Sequence, residues 1–233
     1  MSNSKSNDLE IGIKSSDIER GFYFKVYGIL TVQLFLNFLL CVIPLVIPSL
    51  REAVLRYQVV IIFLALAVLC LALIHLIFDS SLYRRVPYNY ILLFFITISL
   101  GALMMIACST EEAATVFTAI IITMFMVCSL SAIAFYIEDN VTFYQGMLVI
   151  AANCLVGLII SIFFVNLSVA RGMVACICVV IWGVYLLLDL RDAFGKGYIE
   201  LDCDDYILVA LTLYLDIIML FMKIFEVLKF LSK

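Results

Sequence analysis

The chain predicts an all-α integral membrane protein, a bundle of seven membrane-crossing helices. Three observations carry that prediction. Of its 233 residues, 66% are hydrophobic and 14% charged, whereas soluble domains run at roughly 45–50% and 25%. Mean hydropathy is +1.22. The apolar residues also gather into seven runs near the length of about 20 residues that spans a hydrocarbon core as a helix.

Taken in order, residues 1–24 mix Lys5, Lys14 and Arg20 with Asp8, Glu10, Asp17 and Glu19 and lack an early apolar stretch. They read as a mobile cytosolic tail without a cleaved secretory signal, ahead of a transmembrane domain over residues 25–233. The expected spans are Tyr27–Ile47, Gln58–Phe78, Tyr88–Cys108, Ala113–Tyr136, Tyr144–Asn166, Ala170–Asp189 and Tyr206–Glu226. Pro44 and Pro48 are expected to end the first, and Pro87 to open the third, where a missing N–H is tolerated. His75 stands one turn before Asp79, which suits an interfacial pair. The connections are too short to hide a soluble domain, and no inverted repeat of the transporter type is visible.

Orientation follows from the basic residues. With the N-terminus in the cytosol and seven crossings, eight Lys/Arg fall inside and six outside, a narrow margin for the positive-inside rule. A re-entrant last segment would shift three lysines inward, but re-entry needs a protein or water surround. The last run is long enough to cross and has no Gly or Pro, so seven crossings are the expectation.

Composition also excludes classes. A net charge of −4 with no basic block argues against nucleic acid. Eight cysteines lie mostly inside apolar runs and His75 is the sole histidine, so no zinc site or other resident cofactor is expected. The thiols read as small hydrophobes.

The chemistry concentrates in a few acids. Asp216 lies ten residues into the last run, about 15 Å along a helix axis, or half of a roughly 30 Å core. A carboxylate there costs about 2.5–3.5 kcal/mol on insertion scales. Asp189 closes the preceding run. Antiparallel neighbours would bring the two acids within a turn or two of the same depth. Two carboxylates that close do not both stay ionised without a cation. That arrangement suits a pH-sensitive cation gate, with Ca²⁺ as the cation because it prefers hard oxygen ligands. The alternative is two unrelated acids, one reaching the interface and one hydrogen-bonded in the bundle. Arg84 and Arg85 have two readings: topogenic charges at the membrane edge, or a latch pairing with an inner carboxylate. Asp192, one turn beyond Asp189, is a candidate accessory acid. Acids at Glu138, Asp139, Glu200, Asp202, Asp204 and Asp205 border the same side and read as solvated, or as a cation-concentrating pore mouth.

Three stretches resemble the transmembrane Bax inhibitor motif family, in particular its Lifeguard branch. They are Lys25-Val-Tyr-Gly-Ile-Leu-Thr-Val-Gln-Leu34, Arg85-Val-Pro-Tyr-Asn-Tyr-Ile-Leu-Leu93 and Asp205-Tyr-Ile-Leu-Val-Ala-Leu-Thr-Leu-Tyr-Leu-Asp-Ile-Ile218. The resemblance implies six helices around a central C-terminal seventh, with Asp189 and Asp216 as the pH-sensing pair and Arg84 or Arg85 as the latch. It implies Ca²⁺ leak across an intracellular membrane, endoplasmic reticulum or Golgi rather than plasma membrane, and restraint of apoptosis, with apoptosis-regulating membrane proteins as partners. This chain departs from the family at Leu188-Asp189-Leu190-Arg191, where a Tyr-Asp-Thr-Gln pattern is usual. It departs again at Ile137-Glu-Asp-Asn-Val-Thr-Phe143, which puts acids where a lysine is usual.

Two other classes compete. A non-conducting scaffold that binds membrane proteins fits everything except the cost of the buried acids. An intramembrane aspartyl protease also carries one aspartate on each of two consecutive helices. Its second aspartate follows Gly-x-Gly, whereas Asp216 follows Leu213-Tyr214-Leu215. A non-enzymatic function is therefore the expectation.

Overall fold

In lipid every backbone amide needs an internal partner, and an uninterrupted helix supplies it. The computed structural model accordingly turns the apolar runs into helices: α1 (Ser2–Val46), α2 (Pro48–Arg56), α3 (Gln58–Phe78), α4 (Tyr88–Ser109), α5 (Ala113–Tyr136), α6 (Thr142–Val165), α7 (Val169–Ala193) and α8 (Tyr206–Ser232). The structure describes residues 2–78, 86–136, 142–165, 169–193 and 206–232, with side chains from residue 21 onward except near some helix ends and at a few positions of α7.

Among the described residues, six helices are long and apolar enough to cross a membrane: Gly21–Val46, Gln58–His75, Tyr88–Ser109, Ala113–Ile133, Tyr144–Phe164 and Tyr206–Phe230. The expected count of seven is thus met for six. The remaining expected span falls in α7, whose described apolar run is Val179–Leu190. The chain is a multi-pass integral membrane protein.

The expected boundaries at Gln58–Phe78 and Ala113–Tyr136 coincide with α3 and α5. Others move. Pro44 does not end the first helix but sits inside it. Its missing N–H falls only two residues before the end, where little helix remains to be broken. Pro48 opens α2 at its first turn, the position that tolerates proline best. This short amphipathic helix, with Val54 buried, was not expected. Arg84, Arg85, Asp79 and the acids of 138–139 and 200–205 lie outside the described residues, as does the side chain of Asp192.

The last helix is the core. In the apolar window of α8, 61% of residues are buried, against 11–50% in the other spans. α8 packs chiefly on α1, α4, α5 and α7. α3 leans on α4, and α6 on α5 and α7, as an outer layer. The centre is therefore as expected, but four helices rather than six make its principal wall. α8 also runs the bundle's full length. At the proximal end, where the apolar part of α1 begins, Tyr206 lies under the Lys25 ammonium at 5.0 Å, with Tyr90 of α4 close by. At the distal end Lys229 meets Glu111, in the turn between α4 and α5, at 2.6 Å.

Candidate functional site

Consecutive helices joined by a short connection pack antiparallel, and α7 and α8 do so along their length. That pairing sets the two acids at one level. The carboxyl groups of Asp216 and Asp189 come close enough to interact, and both residues are half-buried. Seven residues towards the distal end from each, the same register places Lys223 Nζ 6.0 Å from the centre of the Trp182 ring. Lys223 also pairs with Glu226 at 3.1 Å. The acid contact is thus part of a continuous helix–helix seam.

The contact has a chemical consequence. Carboxylates accept hydrogen bonds and cannot donate them, so two that meet are compatible only with a proton or a cation between them. The second oxygen of Asp216, Oδ2, is buried and has no partner. Such an oxygen is costly to leave bare and is a natural place for a cation or a second proton. Among the described residues, no group of three or more His, Cys, Asp or Glu converges as a metal cage. Ca²⁺ takes 6–8 oxygens, so two carboxyl groups suit a passing ion rather than a resident one.

A second polar group lies on another side of α8, and sequence reasoning missed it. Tyr214 is fully buried. Its hydroxyl accepts from Asn37 Nδ2 on α1 at 2.7 Å and donates towards the Thr97 carbonyl on α4 at 3.4 Å. Gln33 Nε2 donates to Thr97 Oγ1 at 2.9 Å, and Thr97 Oγ1 in turn donates to the Leu93 carbonyl. Gln33 and Asn37 stand four apart on one face of α1, both 3% exposed. That spacing of two amides inside an apolar run was the available signal.

Smaller contacts hold the neighbouring helices. The Cys41 and Cys108 thiols lie near each other between α1 and α4. Those of Cys154 and Cys176 reach each other's backbone carbonyls between α6 and α7 at 3.6 and 3.3 Å. All four are free thiols. Asn153 Nδ2 donates to Ser129 Oγ at 2.8 Å, joining α6 to α5. At the distal end Arg51 on α2 donates to the carbonyls of Ser109 and Glu111 at 2.8 and 2.9 Å. His75 is exposed on α3.

Comparison with known proteins places the chain among relatives by sequence. Residues 19–233 match the family described as inhibitor of apoptosis-promoting Bax1. A BI1-like protein of Arabidopsis thaliana is 28% identical over 97% of this chain and 91% of its own length. Protein LIFEGUARD 4 of the same plant is 27% identical over 92% of this chain and 87% of its own length. Protein lifeguard 3 of Homo sapiens is 26% identical over 88% of this chain and 67% of its own length. No solved structure matches. With the family pattern running from the start of the first span to the last residue, the chain belongs to the Bax-inhibitor family, and Lifeguard proteins are among its relatives.

Proposed function

We propose that this protein is a pH-sensitive, Ca²⁺-permeable leak channel of an intracellular membrane, with Asp189 and Asp216 as its gate. The observation that carries the reading is the close approach of the Asp189 carboxyl group on α7 to that of Asp216 on α8, the most buried helix of the bundle. With one proton held between them, the pair binds α7 to α8 and carries a single negative charge. Loss of that proton leaves two carboxylates in contact, which repel each other and attract a divalent cation. The sign follows directly: raising the pH removes the proton, loosens the α7–α8 seam and favours cation entry. Lowering it restores the seam. Ca²⁺ is the permeant ion in this reading, not a cofactor. Asp192 adds a carboxylate to the path, and Arg84 or Arg85 a latch against it. Restraint of apoptosis rests on the family description, while endoplasmic reticulum or Golgi residence and contact with apoptosis-regulating membrane proteins rest only on the resemblance drawn from the sequence.

A protease reading has less support. Peptide-bond hydrolysis at Asp216 needs open backbone ahead of it, and Leu213 and Tyr214 there are buried in packing. Purified protein in liposomes containing a Ca²⁺ dye tests the proposal. Flux is expected to rise between acid and neutral pH, and Asp216→Asn to alter both its size and its pH dependence. Background flux at every pH from both proteins would favour a scaffold that binds other membrane proteins.

A further inference from the structure

The apolar part of α1 and the start of α4 rise from the same end of the bundle and pack along each other, yet a groove opens between them. It is lined by Gly28, Ile29, Val32 and Leu36 of α1 and by Tyr90 and Phe94 of α4. Gly28 supplies the room at its start, since a Cβ there would meet nothing within 4 Å. Gly28, Val32, Tyr90 and Phe94 are exposed, so the groove opens sideways at the depth of the apolar spans. It holds about 340 Å³, within the roughly 300–1,000 Å³ of small-molecule sites. From Gly28 to Leu36 it follows α1 for about 12 Å. That is most of one leaflet, or half of a roughly 30 Å core.

The polarity of the groove is concentrated at one end. Gln33 and Thr97 at its back are buried and bonded to each other at 2.9 Å, which leaves its body apolar. Lys25 stands one turn before Gly28 and Ile29 on the same face of α1, and it is exposed. Its ammonium lies 5.0 Å from the centre of the Tyr206 ring, with Tyr90 close by. That aromatic support holds the cation at the proximal mouth. An apolar groove of leaflet depth with a cation at its membrane edge complements a lipid chain carrying a negative headgroup. A zwitterionic headgroup fits less well, because it brings an ammonium of its own up to Lys25.

We propose that the groove binds one acidic phospholipid of the leaflet at the proximal end. One acyl chain lies between α1 and α4, and the second stays in the bilayer beyond the open side. The headgroup phosphate pairs with Lys25 and accepts from the Tyr90 hydroxyl. The site stands apart from the acid pair and does not depend on ion flux.

Photolabelling of the full chain in phosphatidylcholine nanodiscs tests it. The probes are phosphatidylglycerol, phosphatidylcholine and a free fatty acid, each carrying the same diazirine-bearing acyl chain. Saturable labelling of the Val32 and Phe94 segments is expected from the phosphatidylglycerol probe, and several-fold less from the other two. Lys25→Gln should lower phosphatidylglycerol labelling several-fold, and Lys25→Arg should retain it. Gly28→Leu, which fills the groove at its start, should lower it similarly while thermal unfolding stays near wild type. The proposal is overturned by equal labelling from the phosphatidylcholine probe, by stronger labelling from the fatty acid, or by labelling that does not saturate. Wild-type labelling of Lys25→Gln, or of a well-folded Gly28→Leu, overturns it too.

Discussion

Lys229 Nζ lies 2.6 Å from Glu111 Oε1, joining the last turns of α8 to the turn between α4 and α5. Arg51 grips the same turn from α2 through two carbonyls. The two grips differ in worth. The Lys229 side chain is 37% exposed, and ion pairs of that kind contribute about 0–1 kcal/mol. The guanidinium fork makes two charge-assisted bonds to backbone and holds them in a fixed geometry. Lys229→Met is therefore expected to shift thermal unfolding in detergent only slightly. Arg51→Ala should destabilise by about 1–3 kcal/mol, and Arg51→Lys should recover little of that loss. Equal effects of Lys229→Met and Arg51→Ala would contradict this ranking.

Tyr214 ties α8 to α1 and α4 through its hydroxyl. Tyr214→Phe keeps the ring and removes the bond. Polar bonds between membrane helices are worth about 0.5–2 kcal/mol, so a loss of that size is expected in equilibrium unfolding. A double-mutant cycle with Asn37→Ala should show coupling, because both changes remove the same 2.7 Å bond. Strict additivity would mean that the bond carries no energy.

The acid pair predicts a pH step in Ca²⁺ flux that needs both carboxyl groups. An Asn at either position donates to the remaining carboxylate through its amide and needs no shared proton. Asp189→Asn and Asp216→Asn should each flatten the flux-against-pH curve between pH 5 and 8, and the double variant should do no more than either single one. A full step surviving in Asp189→Asn would remove Asp189 from the gate.

Close helix approach at Gly101 gives a packing test. A Cβ there would lie 2.6 Å from Leu40 Cδ1 and 2.8 Å from Asn37 Oδ1, whereas one at Gly28 would meet nothing within 4 Å. Gly101→Ala should destabilise by about 1–3 kcal/mol. Gly28→Ala should be neutral or stabilise by up to about 1 kcal/mol through helix propensity.

The thiol contacts offer a check on helix neighbours. In variants retaining only Cys41 and Cys108, or only Cys154 and Cys176, mild oxidation should form an intramolecular disulfide, read as lost maleimide labelling after denaturation. A variant retaining only Cys70 and Cys128, both exposed, should stay reduced within one chain. Reversal of that pattern would mean a different helix arrangement.

Much of this was legible in the sequence because hydropathy and charge are strong signals in a membrane chain. Gln58–Phe78 and Ala113–Tyr136 are uniform apolar runs with polar punctuation, and they became α3 and α5 unchanged. The Asp189–Asp216 contact followed from the cost of charge in lipid and from antiparallel depth matching. What escaped were weaker signals. α2 is nine residues long, too short for its periodicity to stand out. Arg51 registered only as a topogenic charge, since nothing local told of a carbonyl partner 58 residues away. Gln33, Asn37, Thr97 and Tyr214 carry no charge, so a search for costly charges in apolar runs passes over them. Their importance arises only when three helices bring them together.

Tyr214 and Asp216 stand two residues apart on α8, which turns them to nearly opposite sides of the helix, one bonded to α1 and α4 and the other set against Asp189 of α7. The helix is thus pinned like an axle between two bearings. Turning it about its axis, or sliding it by one 1.5 Å step, strains both pins at once. Swinging α7 outward breaks only one. If the proposed gate operates here, its moving leaf is α7, carrying Asp189, while α8 serves as the fixed post.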